Sequence, residues 1–361
     1  MDYADQIRSV KDYIQLPFVY NHWYVAGFKD EFDRTPKAKT LLERSIVFYR
    51  SEAGELLAFQ NRCLHRSFPL SEGKLEGDEL VCRYHGVRYD TDGAITRIPC
   101  QAQIANRQLR KYPTKELGPF VFIWMGEADH PDRDKKFPNL SFLEDPAFRT
   151  VCDEIGLEGN YLLMNENLND LTHFAYLHRD SFGIDDSFME NERVVEQTPE
   201  GVFCKHVSHV DGPAQAQLPP DVHPMLEGQE LEVWASGIAL SPGVFRGYGP
   251  TFYKDEDGKR ASLDSFIMHF LTPETRSTSH YWWSISNNYA LENDDFYAGA
   301  KAFAGIGFSE DLWACKHMQT LLDTDKFDYE ELIIAGDQAG MLFRKVMLGW
   351  VQEEHGRGPA S

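Results

Sequence analysis

Cys63-Leu64-His65 and Cys82-Arg83-Tyr84-His85 each join one thiol to one imidazole, and sixteen residues lie between the two runs. Four cysteines are the usual ligands of a two-iron, two-sulfide cluster. Replacing two of them with histidines on one iron leaves that iron less negatively charged and raises the reduction potential. Tetrahedral zinc also accepts two Cys and two His. Zinc ligand sets more often open with Cys-x-x-Cys and close with paired His, whereas here both halves run Cys then His. The spacings suit two loops that converge from neighbouring hairpins, and the four residues are read as cluster ligands. Such a chain is built to hold single electrons and pass them on.

The 361 residues suffice for two domains, each with its own core. Lys plus Arg number 36 against 57 Asp plus Glu, a formal charge of −21 that argues against nonspecific nucleic-acid binding. Met1-Asp2-Tyr3-Ala4-Asp5 lacks a basic region followed by an apolar stretch, so no secretory signal is expected there. No run approaches the length of a membrane span. Cys100, Cys152, Cys204 and Cys315 are scattered without a disulfide-like framework, which fits a reducing cytoplasm.

Short β-like runs fill the first part: 45–50, 56–59, 79–81 and 120–124, punctuated by turn signals at Ala53-Gly54 and Asp92-Gly93. The polar, Pro-bearing stretch 127–138 reads as a linker. Residues 1–126 are therefore expected to form an all-β domain and 139–361 a second domain of mixed strands and helices, an α+β chain. In that second part 265–271 and 280–286 read as long strands, followed by helices near 309–323 and 328–353.

A second constellation follows the linker: Glu166-Asn167-Leu168-Asn169-Asp170-Leu171-Thr172-His173-Phe174-Ala175-Tyr176-Leu177-His178. Two His five residues apart sit about 140° apart on an ideal helix. They can share one metal only if the helix ends or distorts between them. Asp170 and His173, three residues apart, are neighbours on one side of a helix. His206 and His209, on a strand, point to opposite faces and are read as structural.

Asn61-Arg62-Cys63-Leu64-His65-Arg66 with Cys82-Arg83-Tyr84-His85-Gly86 resembles the cluster motif of the Rieske domains in ring-hydroxylating, non-haem iron oxygenases. Arg83 and Val87 stand where that family commonly has Pro and Trp. Asn-x-x-Asp-x-x-His-x-x-x-x-His is similar to the family's catalytic motif, and Asn167-Leu168-x-Asp170-Leu171-Thr172-His173 resembles the branch of vanillate and dicamba O-demethylases and toluenesulfonate methyl-monooxygenase. Asn21-His22-Trp23-Tyr24-Val25-Ala26 and His269-Phe270-Leu271-Thr272-Pro273-Glu274 also fit.

The resemblance implies that Cys63 and Cys82 bind one iron of a [2Fe-2S] cluster and His65 and His85 the other. It implies a helix-grip, START-like catalytic domain, an antiparallel sheet flanked by helices, in which His173 and His178 bind a mononuclear iron(II). A third, acidic ligand must then follow. Asp311 is the choice, at the start of a helix capped by Ser309 and followed by Gln319; Asp337, in the middle of the next helix, is the alternative. Asp170 is implied to bridge a cluster histidine and an iron histidine across the interface of a head-to-tail homotrimer.

The implied activity is that of a terminal oxygenase component, which uses O2 to hydroxylate or O-demethylate a small carboxylated or methoxylated aromatic compound. Its electrons come from an NAD(P)H-dependent flavin and iron–sulfur reductase or a ferredoxin. N-demethylation and ring dihydroxylation are alternatives within the family; a Rieske electron carrier without oxygenase activity and a zinc-stabilised binding protein are alternatives outside it. Arg62, Arg66, Lys74, Arg83, Arg88 and Arg97 gather positive charge around the cluster motif, either as solvated loops or as a docking patch for an acidic redox partner.

Overall fold

A computed structural model describes residues 9–212, 218–325, 327 and 329–356. The Met1–Asp5 run lies outside them. The chain forms two compact units: Tyr20–Phe137 with Thr272–Thr275, and the remainder.

The first unit is all β. Its strands are β1 (Trp23–Phe28), β2 (Lys37–Leu41), β3 (Arg44–Arg50), β4 (Leu56–Gln60), β5 (Lys74–Glu76), β6 (Glu79–Val81), β7 (Arg88–Tyr89), β8 (Ile95–Arg97), β9 (Thr114–Leu117) and β10 (Phe120–Trp124). They pair into antiparallel sheets ordered β1-β10-β9, β2-β3-β4 and β5-β6-β7-β8. β10, flanked on both sides, is buried throughout, as a continuous apolar run in a central strand requires. Gly54 (φ +84°) and Gly93 (φ +81°) make the left-handed turns that the sequence signals.

The stretch expected to be a linker folds with this unit. The Trp124 indole N–H donates to the Glu127 carbonyl and that of Trp23 to the Arg133 carbonyl, each at 2.8 Å. Phe137 packs edge-on against Trp23 and Phe122. The division falls between Phe137 and Pro138. Residues 9–19, expected with the first domain, belong instead to the second unit, where Asn160 Nδ2 donates to the Ile14 carbonyl and Phe18 faces Tyr161.

The second unit carries a nine-stranded antiparallel sheet built from β11 (Arg149–Leu157), β12 (Glu192–Gln197), β13 (Val202–Asp211), β14 (Glu230–Ser241), β15 (Val244–Tyr248), β16 (Thr251–Lys254), β17 (Arg260–Leu263), β18 (Ser265–Pro273) and β19 (Ser279–Asn287). The main path runs β11-β19-β18-β15-β14-β13-β12. Among the described residues, the three longest helices accompany it: α1 (Tyr161–Asn169), α2 (Asp294–Thr324) and α3 (Gln338–His355). α2 packs against β11 and α1, and α3 packs against α1, β12 and β13.

α2 begins fifteen residues before the expected start at 309. Asn293 caps it by accepting from Phe296 N–H, and Asp294 and Asp295 occupy its first turn. Ser309 is no cap; its hydroxyl donates to the Ile306 carbonyl within the helix. The early turns escape sequence reading because only Tyr297, Ala304, Gly307 and Phe308 are buried there, and two of the four are small, so the apolar signal is sparse. Asp337 is not in the middle of a helix either. It ends a short 3₁₀ turn and immediately precedes α3.

Candidate metal centres

Cys63 lies in the loop after β4 and Cys82 in the loop after β6, and the two loops close in the same way. Each cysteine N–H donates to the carbonyl five residues on (Phe68, Val87), and each cysteine carbonyl accepts from the N–H four residues on (Ser67, Gly86); the four bonds measure 2.9–3.0 Å. The residue four after each cysteine is left-handed: Ser67 at φ +58° and Gly86 at φ +72°. Both thiols are buried while His65 and His85 are exposed, their rings edge to face at 4.5 Å. Burial pushes the Cys82 thiol up, and neighbouring Cys63 adds to the shift. Two thiolates side by side in this apolar pocket need a cation between them, and soft sulfur with imidazole suits an iron–sulfur cluster.

Sequence reading gives Tyr89 no role, yet its hydroxyl lies 3.2 Å from Cys63 Sγ and accepts from Leu64 N–H at 3.0 Å. Of the six basic residues near the motif, Lys74 pairs with Glu76, and Arg88 with Glu76 and Glu79. Arg62, Arg66, Arg83 and Arg97 are exposed. A cavity of about 630 Å³ beside Cys82 is bordered by Lys74, Arg83, Arg88 and Arg97.

The second centre forms where α1 ends. Asp170 leaves the helical conformation and caps a 3₁₀ turn, Leu171–Ala175, with Oδ1 accepting from Thr172 N–H at 2.8 Å and from the Thr172 hydroxyl at 2.5 Å. The break allows what a continuous helix forbids: His173 Nε2 and His178 Nε2 lie 3.2 Å apart. Asp170 binds His173 Nδ1 through its main-chain carbonyl, leaving the carboxylate for other contacts.

Asp311, on a buried turn of α2, places Oδ1 3.1 Å from His178 Nε2 and 3.4 Å from His173 Nε2. Ligand atoms of all three residues fall within 4.8 Å of one another. Burial alone would raise the Asp311 pKa, but the two imidazoles override it and hold the group at about 2. Burial lowers the pKa of His178, whereas Asp311 and Glu310 raise it, with a net upward shift. Two imidazole nitrogens and one carboxylate oxygen on one side of a buried point form a donor set suited to ferrous iron with open positions. Asp337 is not among these donors.

Two neighbours escape sequence reading. Glu310 Oε2 lies 2.6 Å from His178 Nδ1, and Asn167 Nδ2 donates to Asp311 Oδ1 at 2.8 Å. Asn167 stands inside the run singled out for its histidines and Glu310 directly precedes Asp311, which is the signal that could have found them. Phe182 stacks on His178 at 4.4 Å and fits because residue 307 is glycine; a Cβ there would lie 2.5 Å from the Phe182 ring. His206 is buried and stacked on Phe188, while His209 is exposed, so the pair shares no site.

A cavity of about 270 Å³ opens on the triad, walled by side chains that include Leu168, Phe174, Phe245, Ile267 and Phe308. Among the described residues, no helix is long and apolar enough to cross a membrane.

Residues 22–113 match the Rieske [2Fe-2S] domain, and residues 157–353 match the vanillate O-demethylase oxygenase C-terminal domain. The toluene-4-sulfonate monooxygenase system iron-sulfur subunit of Comamonas testosteroni is 31% identical over 308 residues, covering 81% of this chain and 86% of that one. The oxygenase component of dicamba O-demethylase from Stenotrophomonas maltophilia is 29% identical, covering 78% and 81%. The crystal structure of dicamba monooxygenase bound to dicamba has the same fold, with a TM-score of 0.77 at 24% identity over 94% of this chain and 100% of that one. The chain belongs to the Rieske non-haem iron oxygenases as an oxygenase component, in the branch that includes vanillate and dicamba O-demethylases and toluenesulfonate monooxygenase.

Proposed function

We propose that the chain hydroxylates or O-demethylates a small aromatic compound at a mononuclear iron held by His173, His178 and Asp311. Its electrons enter at a cluster held by Cys63, His65, Cys82 and His85. The observation that carries this reading is the convergence of two imidazoles and one carboxylate at the wall of an apolar chamber. A pure electron carrier has no use for that arrangement. When bound, the cluster supplies single electrons and the ferrous ion activates dioxygen. The protein's own contribution is orientation and exclusion of water: Glu310 and the Asp170 carbonyl fix the two imidazoles, Asn167 fixes Asp311, and Phe174, Phe182 and Phe308 dry the chamber. Hydroxylation of a methoxy carbon gives a hemiacetal that releases formaldehyde and leaves the phenol.

The reductant is an NAD(P)H-dependent flavin and iron–sulfur reductase or a ferredoxin in the cytoplasm, consistent with relatives named as components of systems. It docks on the basic cavity edge at Lys74, Arg83 and Arg97. The working unit is a head-to-tail homotrimer in which Asp170 receives a cluster histidine of the neighbouring subunit. No described residue hydrogen-bonds Asp170 Oδ2, which leaves it available for that contact.

The test combines metal analysis with turnover. Three irons per chain, and substrate-stimulated NADH consumption with a surrogate reductase that yields formaldehyde or a hydroxylated product, are the expected results. Asp170→Asn should keep all three irons and lose most of the turnover. Two irons per chain with no oxygen consumption point to the electron carrier instead, and full turnover of Asp170→Asn removes the bridging role.

A further inference from the structure

Among the described residues, no cationic Lys or Arg side chain lines the chamber beside the iron triad. Strand alternation sorts the sheet residues around it onto two faces. Ala235, Phe245, Gly247, Ile267 and His269 lie on one face: Phe245 pairs with His269 in register and Gly247 with Ile267. This is the face toward α2, since Phe308 packs edge-on against His269. Trp234, Ser236, Tyr248, Lys205 and Arg246 alternate to the other face. There Lys205 Nζ sits 4.0 Å over the Trp234 ring, and Arg246 reaches Glu200. Arg193, which pairs with His206 on edge strand β12, is held by the Ala335 carbonyl. No Lys or Arg is among the described residues lining the cavity.

Three residues of that other face, Trp234, Ser236 and Tyr248, also border the cavity, and their polar groups are occupied. The Trp234 indole N–H donates to Glu232, the Ser236 hydroxyl to the Tyr248 carbonyl, and the Tyr248 hydroxyl to Asp264. His269 is bound through Nδ1 to the Tyr281 hydroxyl at 2.6 Å. Burial lowers His269 to about 4, so it is neutral at ordinary pH and offers at most one N–H. Asn167 Oδ1, buried and without a described partner, adds an acceptor. With a ferrous ion bound, the carboxylates of Asp311 and Glu310 would offset its two charges and leave little net positive charge to draw an anion in.

We propose that this chamber selects an uncharged, single-ring aromatic substrate, a methoxy- or N-alkyl-substituted arene without an ionised acid group. The inference rests on the oxygenase reading and narrows the carboxylated-or-methoxylated expectation to the uncharged class. About 270 Å³ lies just below the usual range of ligand pockets and suits one substituted ring. Alanine and glycine at 235 and 247 make the room. An ionised carboxylate placed here loses its hydration without gaining a cation, and such burial is strongly disfavoured.

The experiment measures anaerobic binding to the iron-loaded full chain by calorimetry, with matched pairs as probes. Methyl 4-methoxybenzoate is set against 4-methoxybenzoate, and N,N-dimethylaniline against 4-(dimethylamino)benzoate, at pH 8 where both acids are ionised. The uncharged member should bind about a hundredfold more tightly or better, the cost of an unpaired buried carboxylate. Ile267→Lys, which puts a cation on the chamber wall, should narrow or invert that ratio. An anion as the tightest ligand, or no uncharged probe binding at all, overturns the inference. Uncharged preference without substrate-dependent oxygen consumption would sink the oxygenase reading alone. Turnover of acids with loss of that preference would sink only this one.

Discussion

Glu310 Oε2 sits 2.6 Å from Nδ1 of His178, on the opposite side of the imidazole from the Nε2 that faces His173 and Asp311. The Ser181 hydroxyl donates to the same Glu310 oxygen at 2.7 Å and so fixes its rotamer. A carboxylate behind a ligand histidine sets its tautomer and raises its basicity. In the proposed iron site, adjacent residues of α2 thus act twice, Asp311 directly and Glu310 through His178.

Glu310→Ala should weaken mononuclear iron binding by about ten- to a hundredfold, as loss of such partners typically does. Titration of Fe(II) into chelator-treated protein measures this, with the cluster's electron paramagnetic resonance signal as an internal control. Unchanged iron affinity would show that the contact does not position His178.

The Tyr89 hydroxyl beside Cys63 Sγ predicts a change in potential. Hydrogen bonds to cluster sulfur favour the reduced, more negative state. Tyr89→Phe should lower the midpoint by tens of millivolts, on a scale where about 59 mV is tenfold for one electron. Redox titration followed by paramagnetic resonance gives the answer, and an unshifted or raised midpoint rejects it.

The shared closure of the two cluster loops makes opposite predictions at equivalent positions. Gly86→Ala forces a side chain into left-handed backbone and brings Cβ to 3.0 Å from Pro99 Cγ, a cost of about 1–2 kcal/mol. Ser67→Gly relieves a left-handed φ of +58° and should stabilise its loop by somewhat less than about 1 kcal/mol, because the bond from Arg62 to the Ser67 hydroxyl is lost. The rate of cluster bleaching on heating should rise in the first variant and fall in the second.

His269 makes the catalytic unit sensitive to acid. Its pKa falls from 6.5 in the unfolded chain to about 4 when buried, so between those values the unfolded state binds more protons. Stability contributed by the neutral ring is fully present above about 6.5 and is lost progressively as pH falls to about 4, by about 3 kcal/mol at most. His269→Gln should flatten the fall of Tm between pH 6.5 and 4 by scanning calorimetry. An unchanged slope would assign the acid sensitivity to other groups.

The parts of the candidate sites that sequence reading brings together are those whose chemistry is local. Cys63, His65, Cys82 and His85 fall within two short loops, so their spacing carries the geometry. His173 and His178 are harder, because an ideal helix holds them about 140° apart. Only the interruption at Asp170 unites them, and it depends on Thr172 supplying two donors to one carboxylate oxygen. Asp311 was legible through family register alone. The local argument for it, a helix start with a serine cap, fails because the first four turns of α2 bury few residues and leave a sparse apolar pattern. Tyr89 and Glu310 act on residues 26 and 132 positions away, a separation that no local pattern encodes. The polar stretch 127–138 imitates a linker until its carbonyls are seen to accept from Trp124 and Trp23.

The sequence separation of the proposed ferrous-site donors has a consequence for assembly. His178 and Asp311 stand 133 residues apart, with most of the catalytic sheet between them. An ion can be gripped by both only in a chain whose sheet has already brought α2 against the 170–178 turn. Iron occupancy therefore reports completed folding, and mass action runs the other way as well: a thousandfold excess over Kd adds about 4 kcal/mol to the folded state. Protein made under iron starvation should emerge with α2 less firmly seated, vulnerable to proteases along the length of helix that the metal would otherwise pin.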